Sequence, residues 1–130
     1  MYQNWYNRNK PRITMDNFPP KKIVSVVFWK EINDKEPVRD WLKSLTKHQK
    51  QTIGENLKTV EMGWPLGMPL VKNLNKGIWE VRSHFKNGIA RILFKMYENQ
   101  MVLLHGFIKK SQKTPSKDLT IALKRAKTLR

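Results

Sequence analysis

The chain has 130 residues, which suits one domain with a single hydrophobic core. Its 26 lysine and arginine residues against 10 aspartate and glutamate residues give a formal net charge of +16, which predicts a polyanionic partner, either a nucleic acid or an acidic protein. The absence of cysteine excludes disulfide bonds and thiolate metal sites, and no apolar run reaches the roughly 20 residues of a membrane helix. Because no secretory signal pattern opens the sequence, a cytoplasmic protein with no membrane partner is expected.

The first 22 residues differ from the rest of the chain. They are polar and aperiodic, and the Pro19-Pro20 pair near their end blocks regular structure. We therefore predict an extension over residues 1–22 that is disordered or draped over the surface, followed by one domain over residues 23–130.

A strand and two helices are predicted next. Residues 23–29 (IVSVVFW) are β-branched and aromatic and too few for a helix, so they indicate a strand. A helix begins near Glu36, and the capping-box pair Thr46 and Gln49 opens a second helix after a very short turn, which makes a helical hairpin. Gly54 lies inside the second helix, where glycine costs about 1 kcal/mol relative to alanine.

The second half of the chain changes to a period of two. Residues 78–85, 89–97 and 101–108 form three predicted strands joined by two tight turns. A last helix follows Thr114-Pro115-Ser116, where the threonine hydroxyl is expected to cap the helix. The predicted order is β-α-α-β-β-β-α, so the fold class is α+β: a small antiparallel twisted sheet covered on one face by the N-terminal helical hairpin, with a C-terminal helix.

Positively charged residues collect on the face of this sheet that is predicted to be open. Arg82 and Arg91 are neighbours there, and Lys109 and Lys110 lie at the rim, where an apolar strand runs directly into a lysine cluster. Arginine offers a planar fork to a phosphate, and lysine offers a mobile point charge. When a ribose 2′-hydroxyl attacks the adjacent phosphate, such cations stabilise the developing negative charge without a metal ion, while a general base and a general acid move the protons.

Charge alone leaves other interpretations open. Cations that contact phosphates usually position a nucleic acid rather than react with it, and the lysines of residues 109–117 also suit docking to an acidic protein. Strand arginines often pair with a carboxylate, and Glu80 is close enough in sequence to pair with Arg82 or Arg91. His105, inside an apolar strand, is more often a hydrogen-bonded structural residue than a base, and no pair of histidines has metal-ligand spacing.

Three segments carry a family resemblance when they are taken in order: residues 77–82 (GIWEVR), 89–94 (IARILF) and 103–115 (LLHGFIKKSQKTP). Together they resemble the phage-derived Gp49-like proteins, the HigB-type branch of the RelE toxin superfamily, over roughly residues 24–127. The resemblance implies the small RelE-like fold. It also implies the toxin of a type II toxin–antitoxin system, which cleaves mRNA on the ribosome and is neutralised by a helix-turn-helix antitoxin of the HigA type.

The resemblance further implies which side chains act on the RNA. By motif position, Arg82 and Arg91 hold the scissile phosphate, and one of Lys109 and Lys110 stabilises the transition state or protonates the leaving oxygen. Lys72 holds the RNA backbone. Lys113 is an outer candidate by motif position. Independently of the resemblance, the charge pattern adds Lys76, Lys95 and Lys117 as candidates for contact with RNA.

The general base is the least defined of these roles. Several members of the superfamily use a tyrosine or a histidine near the C-terminus, but this chain has no tyrosine after Tyr97 and no histidine after His105. The candidate base is therefore His105 or one of the lysines, and no cofactor or metal is implied. The alternative to a toxin is a non-catalytic basic protein of phage origin that binds nucleic acid or an acidic partner.

Overall fold

The computed structural model describes residues 24–129, so the predicted extension over residues 1–22 lies outside the described residues. Eight elements follow one another: β1 (Ser25–Phe28), α1 (Pro37–Lys43), α2 (Lys47–Gly63), β2 (Val71–Asn73), β3 (Trp79–Phe85), β4 (Gly88–Tyr97), β5 (Gln100–Lys109) and α3 (Ser116–Ala126). The predicted α+β class is confirmed, since five strands form one sheet against which the helices pack. Within residues 24–129, none of the helices has the length and apolar character that a membrane crossing requires.

The sheet is mixed rather than purely antiparallel. Its strand order is β1-β5-β4-β3-β2, with β1 parallel to β5 and all other neighbours antiparallel. The antiparallel prediction is therefore wrong for β1. Parallel pairing is possible there because two helices and three strands separate β1 from β5 along the chain, which leaves enough length for a crossover. Strand β2 escapes the prediction because its three residues are too few to show an alternation.

The capping box predicted at the start of α2 is present. The Gln49 N–H donates to Thr46 Oγ1 at 3.1 Å, and the Thr46 N–H donates to Gln49 Oε1 at 3.0 Å. The helix then buries Ile53, Leu57 and Val60, which are spaced three and four residues apart and form one stripe. This stripe fixes α2 against the sheet.

Side chains pack on both faces of the sheet. On one face, α1 and α2 cover a core that includes Val81, Ile92 and Phe94. On the other face, α3 covers a second core that includes Leu93 and Ala122. The prediction that only one face is covered is therefore wrong, because β4 and β5 carry apolar side chains on both faces and the second set packs beneath the C-terminal helix.

A bulge in β5 explains why the alternation of this strand is irregular. Leu93 pairs with His105 and Phe94 pairs with Leu103, so Leu104 is an extra residue in the ladder. Leu104 packs in the core beneath α3, and the His105 ring contacts a side chain of α3. The bulge therefore turns two consecutive side chains toward the same helix.

Candidate functional site

Arg82 of β3 and Arg91 of β4 lie directly opposite each other, as the sequence predicts. They share the sheet face that α1 and α2 do not cover, because Val81 and Ile92, their neighbours along the two strands, pack beneath those helices. Two like charges directly opposite each other destabilise a sheet unless other groups compensate for them. The surroundings of the pair provide that compensation.

The arginine pair is not open to solvent. Arg82 is 6% exposed and Arg91 is 0% exposed. The segment of residues 109–117, here called the lysine loop, leaves β5 and enters α3. The prediction of an open arginine face is wrong, because the lysine loop folds back over the pair and binds both guanidinium groups.

The guanidinium groups bind the backbone of the lysine loop. Arg91 Nη1 donates to the Lys113 carbonyl at 3.0 Å, and Arg91 Nη2 donates to the Ser111 carbonyl. Arg82 Nη2 donates to the Gln112 carbonyl, which lies between them in sequence. Three consecutive carbonyls are therefore held by two buried cations, and this holds the loop backbone against β3 and β4.

Glu80 completes this buried cluster. Its Oε1 accepts a hydrogen bond from Arg82 Nε at 2.8 Å, and its Oε2 accepts one from the Thr114 hydroxyl at 2.6 Å. The carboxylate is fully buried, so it balances one of the two positive charges and ties the lysine loop to β3. The threonine hydroxyl is consequently not the helix cap that the sequence predicts: Pro115 occupies the N-cap position of α3, and no side chain bonds to that cap.

Burial changes the acid–base properties of Arg91. The pKa of its guanidinium is lowered, chiefly because the group is removed from water; Glu80 and Asp118 oppose this effect, and Arg82 adds to it. Arginine nevertheless stays protonated in proteins, so nearby groups have to balance the charge. The loop carbonyls and the neighbouring carboxylates do so. Arg91 is therefore a permanent cation inside the fold.

His105 joins β5 to α3. Its Nε2 lies 2.7 Å from Asp118 Oδ1, and its ring stacks on Phe107 with the ring centroids 5.4 Å apart. Asp118 lies in the first turn of α3, where a carboxylate interacts favourably with the helix dipole. These contacts support the interpretation of His105 as a structural residue. Its side chain keeps 16% exposure, so the residue is not sealed inside the fold.

The backbone of the lysine loop is bound by the two arginines, whereas its lysine side chains face solvent. All four lysines of the loop are exposed: Lys109, Lys110, Lys113 and Lys117. Lys113 shows the arrangement most directly, since its carbonyl accepts from Arg91 while its side chain is exposed. The loop therefore presents four cations from a backbone with little freedom to move.

The other lysine candidates fall in two places. Lys72 of β2 lies opposite Glu80 of β3 and is half-buried beside the arginine pair. Lys95 lies near the far end of β4, with its Cε 3.8 Å from the position that a Cβ on Gly77 would take. Lys76, the residue before that glycine, is exposed. The structure thus brings Lys72 to the arginine pair and leaves Lys76 and Lys95 at a separate end of the strands.

Sequence reasoning misses the part that the loop backbone and Thr114 take in this site. One signal points toward it: Glu80 shares a sheet face with Arg82, and a buried carboxylate needs several hydrogen-bond donors. No residue pattern reports the carbonyls of residues 111–113, since every residue carries one. Between residues 24 and 129, no group of three or more histidine, aspartate or glutamate side chains could hold a metal ion.

The sequence was compared with models of known protein families. The family model described as "Phage derived protein Gp49-like (DUF891)" matches residues 40–127, from within α1 to just after α3. The match includes the arginine pair, Glu80 and the whole lysine loop. No curated protein matches the chain.

Proposed function

Because the chain belongs to the family of phage-derived Gp49-like proteins, which is associated with RelE-like toxins, we propose that it is the toxin of a HigB-type type II toxin–antitoxin system. Its proposed activity is the cleavage of mRNA on the ribosome, in the cytoplasm. Its proposed partner is a helix-turn-helix antitoxin of the HigA type. The observation that carries the proposal is the lysine loop, whose backbone is held by two buried arginines while its lysines are exposed.

The proposed reaction uses the 2′-hydroxyl of the RNA as the nucleophile. Its oxygen bonds to the adjacent phosphorus, and the bond from that phosphorus to the 5′-oxygen of the next nucleotide breaks. The products are a 2′,3′-cyclic phosphate and a 5′-hydroxyl. Negative charge develops on the non-bridging oxygens in the transition state, and prepositioned cations stabilise it. We assign this role to Lys109 and Lys110, because both are exposed where β5 ends.

Two protons have to move in this reaction. One of Lys109 and Lys110 protonates the 5′-oxygen as it leaves, and His105 is the candidate that accepts the proton of the 2′-hydroxyl. A neutral His105 that donates from Nε2 to Asp118 carries its lone pair on Nδ1, which is the nitrogen that would accept the proton. In this proposal Asp118 orients the ring.

Arg82 and Arg91 receive a different role here from the one that the resemblance implies. Their guanidinium groups donate to the loop carbonyls and both side chains are buried beneath the lysine loop, so the exposed lysines are better placed than either arginine to meet a phosphate. We assign them as positioning residues that fix the loop backbone. The cations assigned to the RNA backbone are Lys72, Lys76, Lys95, Lys113 and Lys117.

Induced expression in growing bacterial cells tests this function. The wild type is expected to stop growth and to fragment mRNA, whereas Lys109→Ala combined with Lys110→Ala is expected to permit growth and to remain folded. The control, Lys86→Ala combined with Lys124→Ala, removes the same charge at exposed positions outside the lysine loop and should stay toxic. Normal growth and intact mRNA with soluble wild-type protein would contradict the proposal.

A non-catalytic role in binding nucleic acid is the second candidate function. It is favoured by the burial of both arginines, because the exposed cations of the site are then lysines. Lysine contacts to phosphate usually position a nucleic acid without reacting. In that case the wild type binds single-stranded RNA and leaves its length unchanged.

A further inference from the structure

A second surface feature lies on the sheet face opposite the lysine loop. It is a groove of about 680 Å³ between β1, α1 and α2. Val26 and Phe28 of β1 line it together with Ile53 and Leu57 of α2, and Leu42 lines it from α1. The groove is therefore mainly apolar, although its mouth opens to solvent.

The rim of this groove is positively charged. Its cations are Lys30, Arg39, Lys43 and Lys50, all of them exposed. Glu36 is the one acidic residue among the lining residues, and it already pairs with Arg39. An apolar floor with a cationic rim suits a ligand that has the reverse pattern, with an apolar centre between acidic flanks.

Gly54 gives the wall of the groove an unusual shape. It lies in the interior of α2, where glycine lowers helix stability relative to alanine. A Cβ built on Gly54 would have no heavy atom within 4 Å, and the backbone of Gly54 is not in the left-handed region. By contrast, a Cβ on Gly106 would lie 2.5 Å from the Trp41 ring. Packing against Trp41 explains why position 106 is a glycine, but no contact within the described residues explains why position 54 is one. Close approach of a partner's backbone to α2 would explain a glycine at position 54.

We propose that this groove binds an amphipathic helix of a partner protein, with apolar side chains in the groove and aspartate or glutamate residues against the rim cations. A helix fits better than an added strand, because the Val26 N–H on the outer edge of β1 already donates to Glu61 Oε2 at 2.9 Å. Laying an apolar helix face into an apolar groove is a common mode of peptide recognition. A partner in this groove leaves the lysine loop on the opposite face accessible.

Charge argues against two other occupants of the groove. The first 23 residues of this chain carry Arg8, Lys10, Arg12, Lys21 and Lys22 against the single acid Asp16, so the segment before β1 has the same sign as the rim. A second copy of the chain would bring its own positive rim. An acidic partner is the occupant that the rim charge favours.

A designed peptide tests the proposal on the full-length protein. The probe is a fluorescein-labelled helical peptide with leucines at positions i, i+3, i+4 and i+7 and glutamates on both flanks. The matched peptide has lysines in place of the glutamates. In fluorescence anisotropy titrations the glutamate peptide should bind at least about tenfold more tightly than the lysine peptide. Equal affinity for both peptides, or no binding of the glutamate peptide, would overturn the proposal.

Three variants localise the binding. Gly54→Gln puts a good helix former at the open wall, so it should raise the melting temperature while weakening peptide binding about tenfold or more. Lys43→Glu combined with Lys50→Glu should weaken binding similarly, whereas the matched double change Lys86→Glu with Lys124→Glu, outside the groove, should not. The groove is not the binding site if Gly54→Gln lowers the melting temperature, or if the two charge-reversal variants lose peptide affinity equally.

The other occupants give distinct results. If the segment before β1 fills the groove, Trp5→Ala combined with Phe18→Ala raises peptide affinity. If a second copy fills it, the wild type dimerises in a concentration-dependent way and Gly54→Gln abolishes the dimer. Either result overturns the proposal. Gly54→Gln should be as toxic as the wild type on induction, because the groove lies away from the lysine loop. The peptide titration therefore tests the groove, and the toxicity of the wild type separately tests the proposed RNA cleavage.

Discussion

Arg82 and Arg91 face each other across β3 and β4, and both give their guanidinium groups to the backbone of one loop. Two cations directly opposite each other on neighbouring strands repel each other, and this repulsion destabilises a sheet. Here the Glu80 carboxylate and three carbonyls surround them, so the pair becomes an anchor for the lysine loop. Positive charge inside the fold thus holds in place the positive charge that the protein presents outside.

Arg91→Ala should lower the free energy of unfolding by about 3 kcal/mol, because it removes two hydrogen bonds that a buried charged group donates to the lysine loop. Urea denaturation measures this value. Amide hydrogen exchange over residues 110–114 should accelerate at the same time. As a control, Arg39→Ala removes a surface pair with Glu36 and a cation–π contact 4.5 Å from the centroid of the Phe28 ring, and it should cost only about 1 kcal/mol. Equal losses for the two variants would contradict the anchoring role.

Glu80→Gln leaves the Arg82 charge without its buried partner. We expect a loss of about 3 kcal/mol, as for other buried pairs from which one partner is removed. Thr114→Val removes one hydrogen bond to the same carboxylate but leaves its ion pair with Arg82, so the loss should be smaller, about 1.5–2 kcal/mol. The two free energies of unfolding are compared in urea. A larger loss for Thr114→Val than for Glu80→Gln would contradict the view that the ion pair with Arg82 is the main contact of Glu80.

The stability contributed by Arg91 should depend on pH only in alkaline solution. Its pKa is lower in the folded protein than in the unfolded chain, so the unfolded chain binds more protons between those two values and stability rises with pH through that window. Below the window, both states are charged. The difference in unfolding free energy between wild type and Arg91→Ala should therefore be equal at about pH 6 and about pH 9. A change above about 1 kcal/mol between them would contradict this argument.

Two glycines should respond in opposite directions to alanine. Gly106→Ala places a methyl group 2.5 Å from Trp41 Cε3, so the Trp41 ring or the helix that carries it has to shift and stability should fall by about 1–3 kcal/mol. Gly54→Ala meets no atom and should stabilise α2 by about 0.5–1 kcal/mol. Thermal unfolding followed by circular dichroism measures both variants. Changes of the same sign would show that one of the two packing assignments is wrong.

RNA affinity should depend steeply on salt. If about five cations contact phosphates, the logarithm of the affinity for single-stranded RNA should fall against the logarithm of salt concentration with a slope near −3 to −4. Removing Lys113 and Lys117 by alanine substitution should make the slope shallower by about 1.4. Filter binding over a salt series measures it. An affinity that does not change with salt would show that the lysines of the loop do not contact phosphates.

Part of this structure follows directly from residue patterns. Alternating side chains predict β3 and β4, the turn between them sets their register, and that register places Arg82 opposite Arg91. The capping box likewise predicts where α2 begins. In each case the pattern is local, so it is visible within a few residues of sequence.

The rest depends on contacts that no local pattern records. The lysine loop turns inward because its carbonyls meet buried guanidinium groups, and the residue types at 111 and 112 do not signal that. Parallel pairing of β1 with β5 brings together segments that are more than 70 residues apart in sequence, with Ser25 opposite Gln100. Thr114 resembles a helix cap, yet its hydroxyl bonds to Glu80 because that buried carboxylate needs a donor.

The most direct test of the proposed function is cleavage by the purified full-length protein in a translation reaction. Primer extension on the mRNA should show new 5′ ends that carry a hydroxyl, with a cyclic phosphate on the upstream fragment. These ends should be lost in the Lys109→Ala and Lys110→Ala double variant and kept in the Lys86→Ala and Lys124→Ala double variant. Intact mRNA in the presence of wild-type protein that still binds RNA would contradict the account and favour the non-catalytic binder.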